Sequence, residues 1–258
     1  MYGRGDSTVD ETKGQTHPAD PGSPTATLGS ARYRLEYDAF GRLLEGESIP
    51  VRSLIVLLGK SLLSLVEMSI RYVPGGIGYK LRYYYYKLFL KRIGRNVLID
   101  VGVFLNGPAN ISIGDYCWID AYTRIEAMLG EVTLGKRIHV APFSIIAARA
   151  PVILEDYVGI SAGVKIYANS EAPRDGKRMS GPMIPERYKA FYSKPVILRR
   201  DSFVGTNSVL LPGAELGEGA VVGANSIVNR SVEPWAIVVG PSAKVVGRRD
   251  PVTVPELD

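Results

Sequence analysis

An aliphatic residue recurs at every sixth position over most of the chain after residue 93, often followed by Gly, Asp or Glu. The fifth place of each unit is small or β-branched, as in IGRNVL, IDVGVF, LGKRIH, LEDYVG and VGANSI. Units this short cannot fold alone, and their repetition indicates a solenoid in which three faces make one triangular coil. We therefore expect an all-β solenoid whose first positions, among them Ile113, Leu134, Leu154, Leu198 and Leu216, stack into one core.

Residues 168–194 interrupt this repeat with a polar segment that is rich in proline and glycine. A loop of this length inside a compact domain is usually functional, and a tolerated surface insertion is the alternative. The pattern thus predicts a long inserted loop within a repeat domain at 93–250, followed by a tail at 251–258.

The chain before the repeat divides into two parts. Residues 1–31 have almost no large apolar side chains, which predicts a disordered tail. Residues 32–92 contain an amphipathic helix at 53–71, whose polar residues share one stripe, and then a basic segment with four consecutive tyrosines. These helices predict either peripheral contact with an anionic membrane leaflet or a cap on the open end of the solenoid.

Composition limits the compartment and the chemistry. With 22% charged and 46% hydrophobic residues, the chain is typical of a soluble globular protein. The single cysteine, Cys117, excludes an internal disulfide, and no zinc-binding spacing occurs. A polar N-terminus without an apolar run predicts a cytoplasmic protein, with the inner face of the plasma membrane as its peripheral site. At a net charge of +5, we expect no nucleic-acid partner.

The chain from Ile93 to Arg249 resembles the hexapeptide-repeat acyltransferases, in particular the sugar O- and N-acetyltransferases of bacterial surface-polysaccharide synthesis. The closing segment LPGAELGEGAVVGANSIVNRSVEPWAIVVGPSAKVVGRR carries this resemblance, and VPGGIGYKLRYYYYKLFLKRIG is similar to the N-terminal helix of the membrane-associated branch. The resemblance implies a left-handed parallel β-helix, a homotrimer with sites between subunits, and acetyl transfer from acetyl-CoA to a sugar-type acceptor without a metal. It also implies that the loop, through RMSGPMIPERY, reaches toward a neighbouring subunit.

Acyl transfer to a hydroxyl needs a general base, which is most often a histidine. Of the two histidines, His17 lies in the tail, whereas His139 occupies a sixth position and is expected to point outward from a flat face. An exposed histidine here is either the base or incidental.

A second set of candidates stands where the loop begins. In the galactoside and maltose acetyltransferases the catalytic histidine lies there, but this chain has Asn169, Ser170 and Glu171, followed by Asp175. This is closer to the polysaccharide branch, which has a serine–acid pair at this point. The base therefore stays open between His139, Glu171 and Asp175, and an amine acceptor would need little help.

By the same resemblance, acyl-CoA lies along the later coils. Small residues and backbone groups of the VGTNS and VGANS turns are expected to contact it, with basic residues near its phosphates: Gly205, Thr206, Ala224, Asn225, Lys244 and Arg248. Trp235 either covers the cofactor or packs the last coil.

Three further residues have structural interpretations. Cys117 takes an inward slot, and Trp118 faces outward in the column of His139, where a subunit interface is expected. Asp120 lies on an adjacent face and is either solvated or beside the acceptor.

Other functions of this solenoid fit less well. A γ-type carbonic anhydrase needs three zinc-binding histidines, and the domain has one. A nucleotidyltransferase would need a large α/β domain in front of the repeat. The sequence thus predicts a sugar acetyltransferase of surface-glycan synthesis, with a non-catalytic membrane-docked scaffold as the alternative.

Overall fold

The structure, a computed structural model, describes residues 38–172, 174, 176–179 and 184–257. The predicted tail at 1–31 and the candidate Asp175 lie outside these residues. Residues 38–45 are helical, and two longer helices follow, α1 (Val51–Arg71) and α2 (Gly75–Lys87). The rest of the described chain is a solenoid of short strands.

The strands form three faces of a triangular coil. Face A contains β1 (Arg92–Ile93), β4 (Ile111–Ile113), β7 (Val132–Leu134), β10 (Val152–Leu154), β15 (Val196–Leu198) and β18 (Glu215–Leu216). Face B contains β2 (Leu98–Ile99), β5 (Trp118–Ile119), β8 (His139–Val140), β11 (Gly159–Ile160), β16 (Phe203–Val204), β19 (Val221–Val222), β21 (Ala236–Val239) and β22 (Lys244–Arg248). Face C contains β3 (Phe104–Asn106), β6 (Arg124–Glu126), β9 (Ile145–Ala147), β12 (Lys165–Tyr167), β17 (Val209–Leu210) and β20 (Ile227–Val228).

Neighbouring strands on each face are parallel, except that β22 closes face B by pairing antiparallel with β21. The coil is left-handed and makes about seven turns, with helices before it and an inserted loop. This confirms the predicted fold.

The predicted core is confirmed by the strand register. Ile113, Leu134, Leu154, Leu198 and Leu216 pair one above the other on face A and are all buried. Cys117 is also inside, and burial raises the pKa of its thiol to about 11. The thiol is therefore protonated and unreactive at neutral pH.

At the turns from face A to face B, which we call the A–B turns, glycine is needed for its small size rather than for its backbone freedom. Glycines second in the unit, such as Gly114, do not have the left-handed backbone conformation of these turns, which comes two places later, for instance at Tyr116 with φ 57°. A β-carbon on Gly114 would instead overlap the backbone of Gly135 in the next coil. Close stacking of coils requires the glycine here.

The inserted loop begins and ends as a β-hairpin, β13 (Asn169–Glu171) paired antiparallel with β14 (Phe191–Ser193), which we call the arm. Its base is closed by the Lys194 N–H, which donates to the Ala168 carbonyl at 3.1 Å. The guanidinium of Arg149, on the solenoid, lies 3.9 Å from the centre of the Phe191 ring. The arm thus leaves the solenoid where face C turns into face A.

Helix α1 faces the domain with its polar side, whereas a helix on the surface of a soluble protein normally buries its apolar side. Its polar stripe turns inward, with Ser53 buried and Lys60 and Glu67 half-buried. Its apolar side chains point outward, and Leu58 and Leu62 are each 66% exposed. By length and apolar composition, α1 is the one helix among the described residues that would suffice to cross a membrane.

Arg82 joins both helices to the first coil. Its Nε donates to the Ile99 carbonyl at 2.7 Å, and its Nη1 donates to the carbonyls that end α1: those of Ile70, Arg71 and Val73 at 3.3, 3.3 and 2.7 Å. A cation at the C-terminus of a helix also complements the helix dipole. Arg82 is fully buried and is therefore not part of the basic surface that the sequence suggested.

We expect Arg82→Met to lower the free energy of unfolding by about 3 kcal/mol or more, because it removes four hydrogen bonds of a buried cation, among them those to the Ile99 and Val73 carbonyls. Urea denaturation measures this loss, and limited proteolysis at 72–76 reports the release of α1. Lys80→Met, an exposed change on the same helix, is the control. Equal stability of the two variants would contradict the role of Arg82.

Candidate active site

The turns from face B to face C, which we call the B–C corners, lie one above the other. They comprise residues 100–102, 120–122, 141–143, 161–163, 205–207 and 223–225. The third residue of each corner has a left-handed φ between 55° and 73°. This conformation turns the chain sharply, so that the first two residues of each corner lie beside the outward side chains of face B.

His139 and Asp120 form a hydrogen-bonded pair at this edge. His139 points outward from β8, as its place in the repeat predicts, and its Nε2 lies 2.8 Å from Oδ2 of Asp120 in the coil before. The imidazole side chain is 52% exposed, whereas the aspartate is 16% exposed. If Nε2 donates to Asp120, the lone pair of Nδ1 is left available, which is the arrangement of an oriented general base.

Trp118 is next to His139 on face B, with its ring centroid 5.6 Å from that of the imidazole. The sequence placed these two side chains in one column but did not pair Asp120 with the histidine. The signal was present, since Asp120 follows Trp118 by two positions and both fall outward.

The arm carries the second set of candidates. Asn169, Ser170 and Glu171 form β13; Ser170 is exposed, and the other two are half-buried. Ser170 Oγ donates to the carbonyl of Glu171 at 3.3 Å. The arm and the His139–Asp120 pair lie at opposite edges of face C, so one protomer does not bring them together.

Small residues follow one another along the B–C corners above His139, and we call this row of small residues the groove. Gly205 is buried there, and a β-carbon on it would lie 2.7 Å from the Ala224 nitrogen. Thr206, Ala224 and Asn225 are exposed along the same edge. Coils rise by about 4.8 Å, so four coils give a groove of about 19 Å from His139 to the last coil.

The candidate cofactor residues divide between the two edges of face B. Lys244 pairs with Val239 and lies at the B–C edge, beside the groove. Arg248 pairs with Ala236 at the far edge, where its Nη1 donates to the Pro234 carbonyl at 3.4 Å. Trp235 is also at the far edge.

Trp235 packs the last turn of the solenoid. A β-carbon on Gly219 would overlap its ring, and the Arg249 guanidinium lies 5.8 Å from the ring centroid. Of the residues expected at the cofactor, the structure thus gathers Gly205, Thr206, Ala224, Asn225 and Lys244 along one edge. Within the described ranges, no three histidine, cysteine or acidic side chains cluster as a metal site would require.

Comparison with known proteins identifies the family, although no protein-family model matches the chain. The chain is 35% identical over 159 residues to a dTDP-4-amino-4,6-dideoxy-D-glucose acyltransferase of Escherichia coli, covering 62% of this chain and 82% of that one. It is 28% identical over 155 residues to the putative lipopolysaccharide biosynthesis O-acetyl transferase WbbJ of Escherichia coli strain K12, covering 59% and 69%.

A solved structure agrees. AntD, an N-acyltransferase from Bacillus cereus in complex with dTDP and 3-hydroxybutyryl-CoA, aligns with a TM-score of 0.61 at 30% identity, covering 66% of this chain and 88% of that one. The repeat, the left-handed coil and these relatives lead to one conclusion. The chain belongs to the sugar acyltransferases of the hexapeptide-repeat family, enzymes that transfer an acyl group from coenzyme A to a sugar.

Proposed function

We propose that this protein transfers an acetyl or similar short acyl group from coenzyme A to the amino group of a nucleotide-linked sugar used in surface-glycan synthesis. The observation that carries the proposal is the 35% identity, over 82% of its length, to an enzyme named for acylating a dTDP-linked amino sugar. AntD, which is 30% identical, was solved with dTDP and an acyl-CoA together. WbbJ, an O-acetyl transferase by name, supports a sugar hydroxyl as the second candidate acceptor.

The catalytic site we propose is shared between subunits of a homotrimer. The His139–Asp120 pair and the arm lie at opposite edges of face C, so a three-fold axis along the solenoid would carry the arm of one protomer to the B–C corners of the next. Trp118, 43% exposed beside His139, suits such an interface.

The spacing of two residues supports this arrangement. AntD was also solved with variants of a serine and of an aspartate that are ten positions apart. Ser161 and Glu171 have the same separation here, with Ser161 on a B–C corner and Glu171 on the arm. Ser208 and Glu218 share this spacing as well, but Ser208 is fully buried.

The proposed reaction assigns one role to each group. The sugar amine attacks the thioester carbonyl, forming the C–N bond, and Nδ1 of His139 accepts the proton that the nitrogen loses. Asp120 holds the imidazole and stabilises its charged form. Glu171 of the neighbouring arm accepts a hydrogen bond from the amine and orients it. The C–S bond then breaks, and the coenzyme A thiolate takes up the proton. The intact His139–Asp120 pair argues against the non-catalytic scaffold.

We expect His139→Asn to lower kcat by about 10²–10⁴, the usual contribution of a general base. Glu171→Ala removes the acceptor that orients the amine and should lower kcat by about 10². Release of the coenzyme A thiol from acetyl-CoA, with a dTDP-linked 4-amino sugar as acceptor, measures the rate, and the buried Cys117 does not interfere. His17→Asn is the matched control. A His139→Asn variant that keeps more than about a tenth of the rate would contradict the assignment.

Mixing the two inactive variants tests the shared site in the same assay. In randomly mixed trimers, half of the His139–Asp120 pairs are intact and half of the arms are intact, so about a quarter of the shared sites are complete. Co-refolded variants should thus recover about a quarter of the wild-type rate. No recovery from mixed trimers would mean that each site lies within one protomer.

We further propose that acyl-CoA lies in the groove of the B–C corners, with its phosphates near Lys244. Lys244→Ala should raise the KM for acetyl-CoA by about 5- to 10-fold, through loss of a charge-assisted contact. Arg248→Ala, a comparable change at the far edge of face B, should leave this KM within about twofold. Equal effects of the two substitutions on KM would place the cofactor elsewhere.

Finally, we propose that the enzyme works in the cytoplasm as a peripheral protein of the membrane surface. The outward apolar face of α1 supports this, as do the exposed lysines Lys80 and Lys87 on α2. At 21 residues, α1 is about 31 Å long and would lie in the plane of the interface.

Replacing Leu58 and Leu62 together by serine should lower the affinity for anionic vesicles, measured by cosedimentation, by about tenfold or more. Replacing Val245 and Val246 by serine is the control, because these exposed side chains lie on β22 at the other end of the solenoid. Equal losses of vesicle affinity in both double variants, or no loss in the α1 variant, would contradict the role of α1 as the membrane anchor.

A further inference from the structure

The third residues of the B–C corners form a vertical row, in which Gly163 leaves a gap between the side chains of Phe143 and Asn207. From the first coil upward, the row reads Gly102, Tyr122, Phe143, Gly163, Asn207 and Asn225. Each side chain leans over the corner of the coil before it. A β-carbon on Gly102 would overlap the Tyr122 ring, and one on Gly163 would overlap the Asn207 amide.

Phe143 and Tyr122 form a stacked pair within this row. Their ring centroids are 5.6 Å apart, and their planes differ by 3°. They remain 64% and 51% exposed, so the pair adds little to the core. Because Gly163 has no side chain to lean over Phe143, the upper face of that ring is bare in the described structure.

The gap above Phe143 is wide enough to admit a flat ring. Adjacent coils are about 4.8 Å apart, so the corners that carry Phe143 and Asn207 are separated by about 10 Å. One planar group fits between the Phe143 ring below and the Asn207 amide above. The amide offers both a hydrogen-bond donor and an acceptor, which a nucleobase edge can use.

A cation stands beside the gap. Lys165 begins β12, and its Nζ donates to the Gly163 carbonyl at 3.0 Å, so its ammonium group lies at this corner. An ammonium group in this position is suited to bind a phosphate oxygen. Aromatic face, amide and cation thus lie together, and the His139–Asp120 pair is on the same edge of the solenoid.

We propose that the bare face of Phe143 is the seat of a nucleobase, with Asn207 over the base and Lys165 at the diphosphate that follows it. This rests on the proposed function, since the acceptor there is a nucleotide-linked sugar. Exposed aromatic rings commonly bind bases in this way, because every base has a π-face. Adenine of coenzyme A has the same chemistry, and the two sources are separated by titrating them independently.

The test is calorimetric titration of the full chain with dTDP, UDP and coenzyme A. Phe143→Ala should weaken binding of the nucleoside diphosphate by about 5- to 150-fold, the range for loss of one stacked base, and leave coenzyme A unchanged. Phe143→Tyr should restore it. Gly163→Asn introduces at this corner the residue found at the next two corners, where φ is 59° and 55°. Because its side chain would enter the gap and displace the Asn207 amide, it should also weaken nucleotide binding by about tenfold or more.

The control is Tyr116→Ala, an exposed aromatic residue in the same left-handed conformation at an A–B turn. It should change neither affinity. Loss of coenzyme A binding with unchanged nucleotide binding would overturn the proposal, as would no change in either. So would dissociation of the oligomer by Phe143→Ala, measured by light scattering, because the stacked pair would then be a subunit contact.

The proposed function fails separately. If UDP binds in a Phe143-dependent way but no amino sugar is acylated, the nucleobase seat stands and the proposed acceptor falls. If the wild-type enzyme acylates an amino sugar but Phe143→Ala leaves the nucleotide affinity unchanged, the proposed acceptor is supported and the nucleobase seat is wrong.

Discussion

The stacking of one coil on the next is the constraint on which the remaining structure depends. Leu134, Leu154 and Leu198 lie directly above one another inside face A, and their burial fixes the register of every strand that follows in the coil. A slip by one residue would turn each inward side chain outward. The free energy that would be lost with this burial disfavours the slip. Because the inside is fixed, the outward residues also fall into columns, and the chemistry of the protein is arranged along those columns.

Two edges of face C divide that chemistry. The B–C corners hold His139, Asp120, the groove of small residues and Lys244, whereas the arm holds Glu171 at the opposite edge. A rigid solenoid cannot bend to join its own edges. In the shared site that we propose, subunit association brings the two edges together, and the outward Trp118 beside His139 is suited to that contact.

Much of this arrangement was predictable from the sequence, and the exceptions have identifiable causes. The six-residue period fixed which side chains point inward, and so it correctly turned Cys117 in and His139 out. It could not pair Asp120 with His139, because that bond crosses between coils and depends on the positions of two side chains. The period also gave no information on Arg82, since a buried arginine in a basic segment looks the same as an exposed one. For α1 the pattern revealed a polar stripe, but amphipathicity alone does not say which face meets the domain.

The closed base of the arm has a consequence for how such enzymes diversify. The loop leaves at Ala168 and returns at Lys194, where a backbone hydrogen bond joins the two ends and the coil continues as if nothing had been inserted. Changes in the length or sequence of the arm therefore leave the stacking below it undisturbed. The side chains that the arm presents can then change independently of those on the coils, because they stand in a segment that the fold does not need.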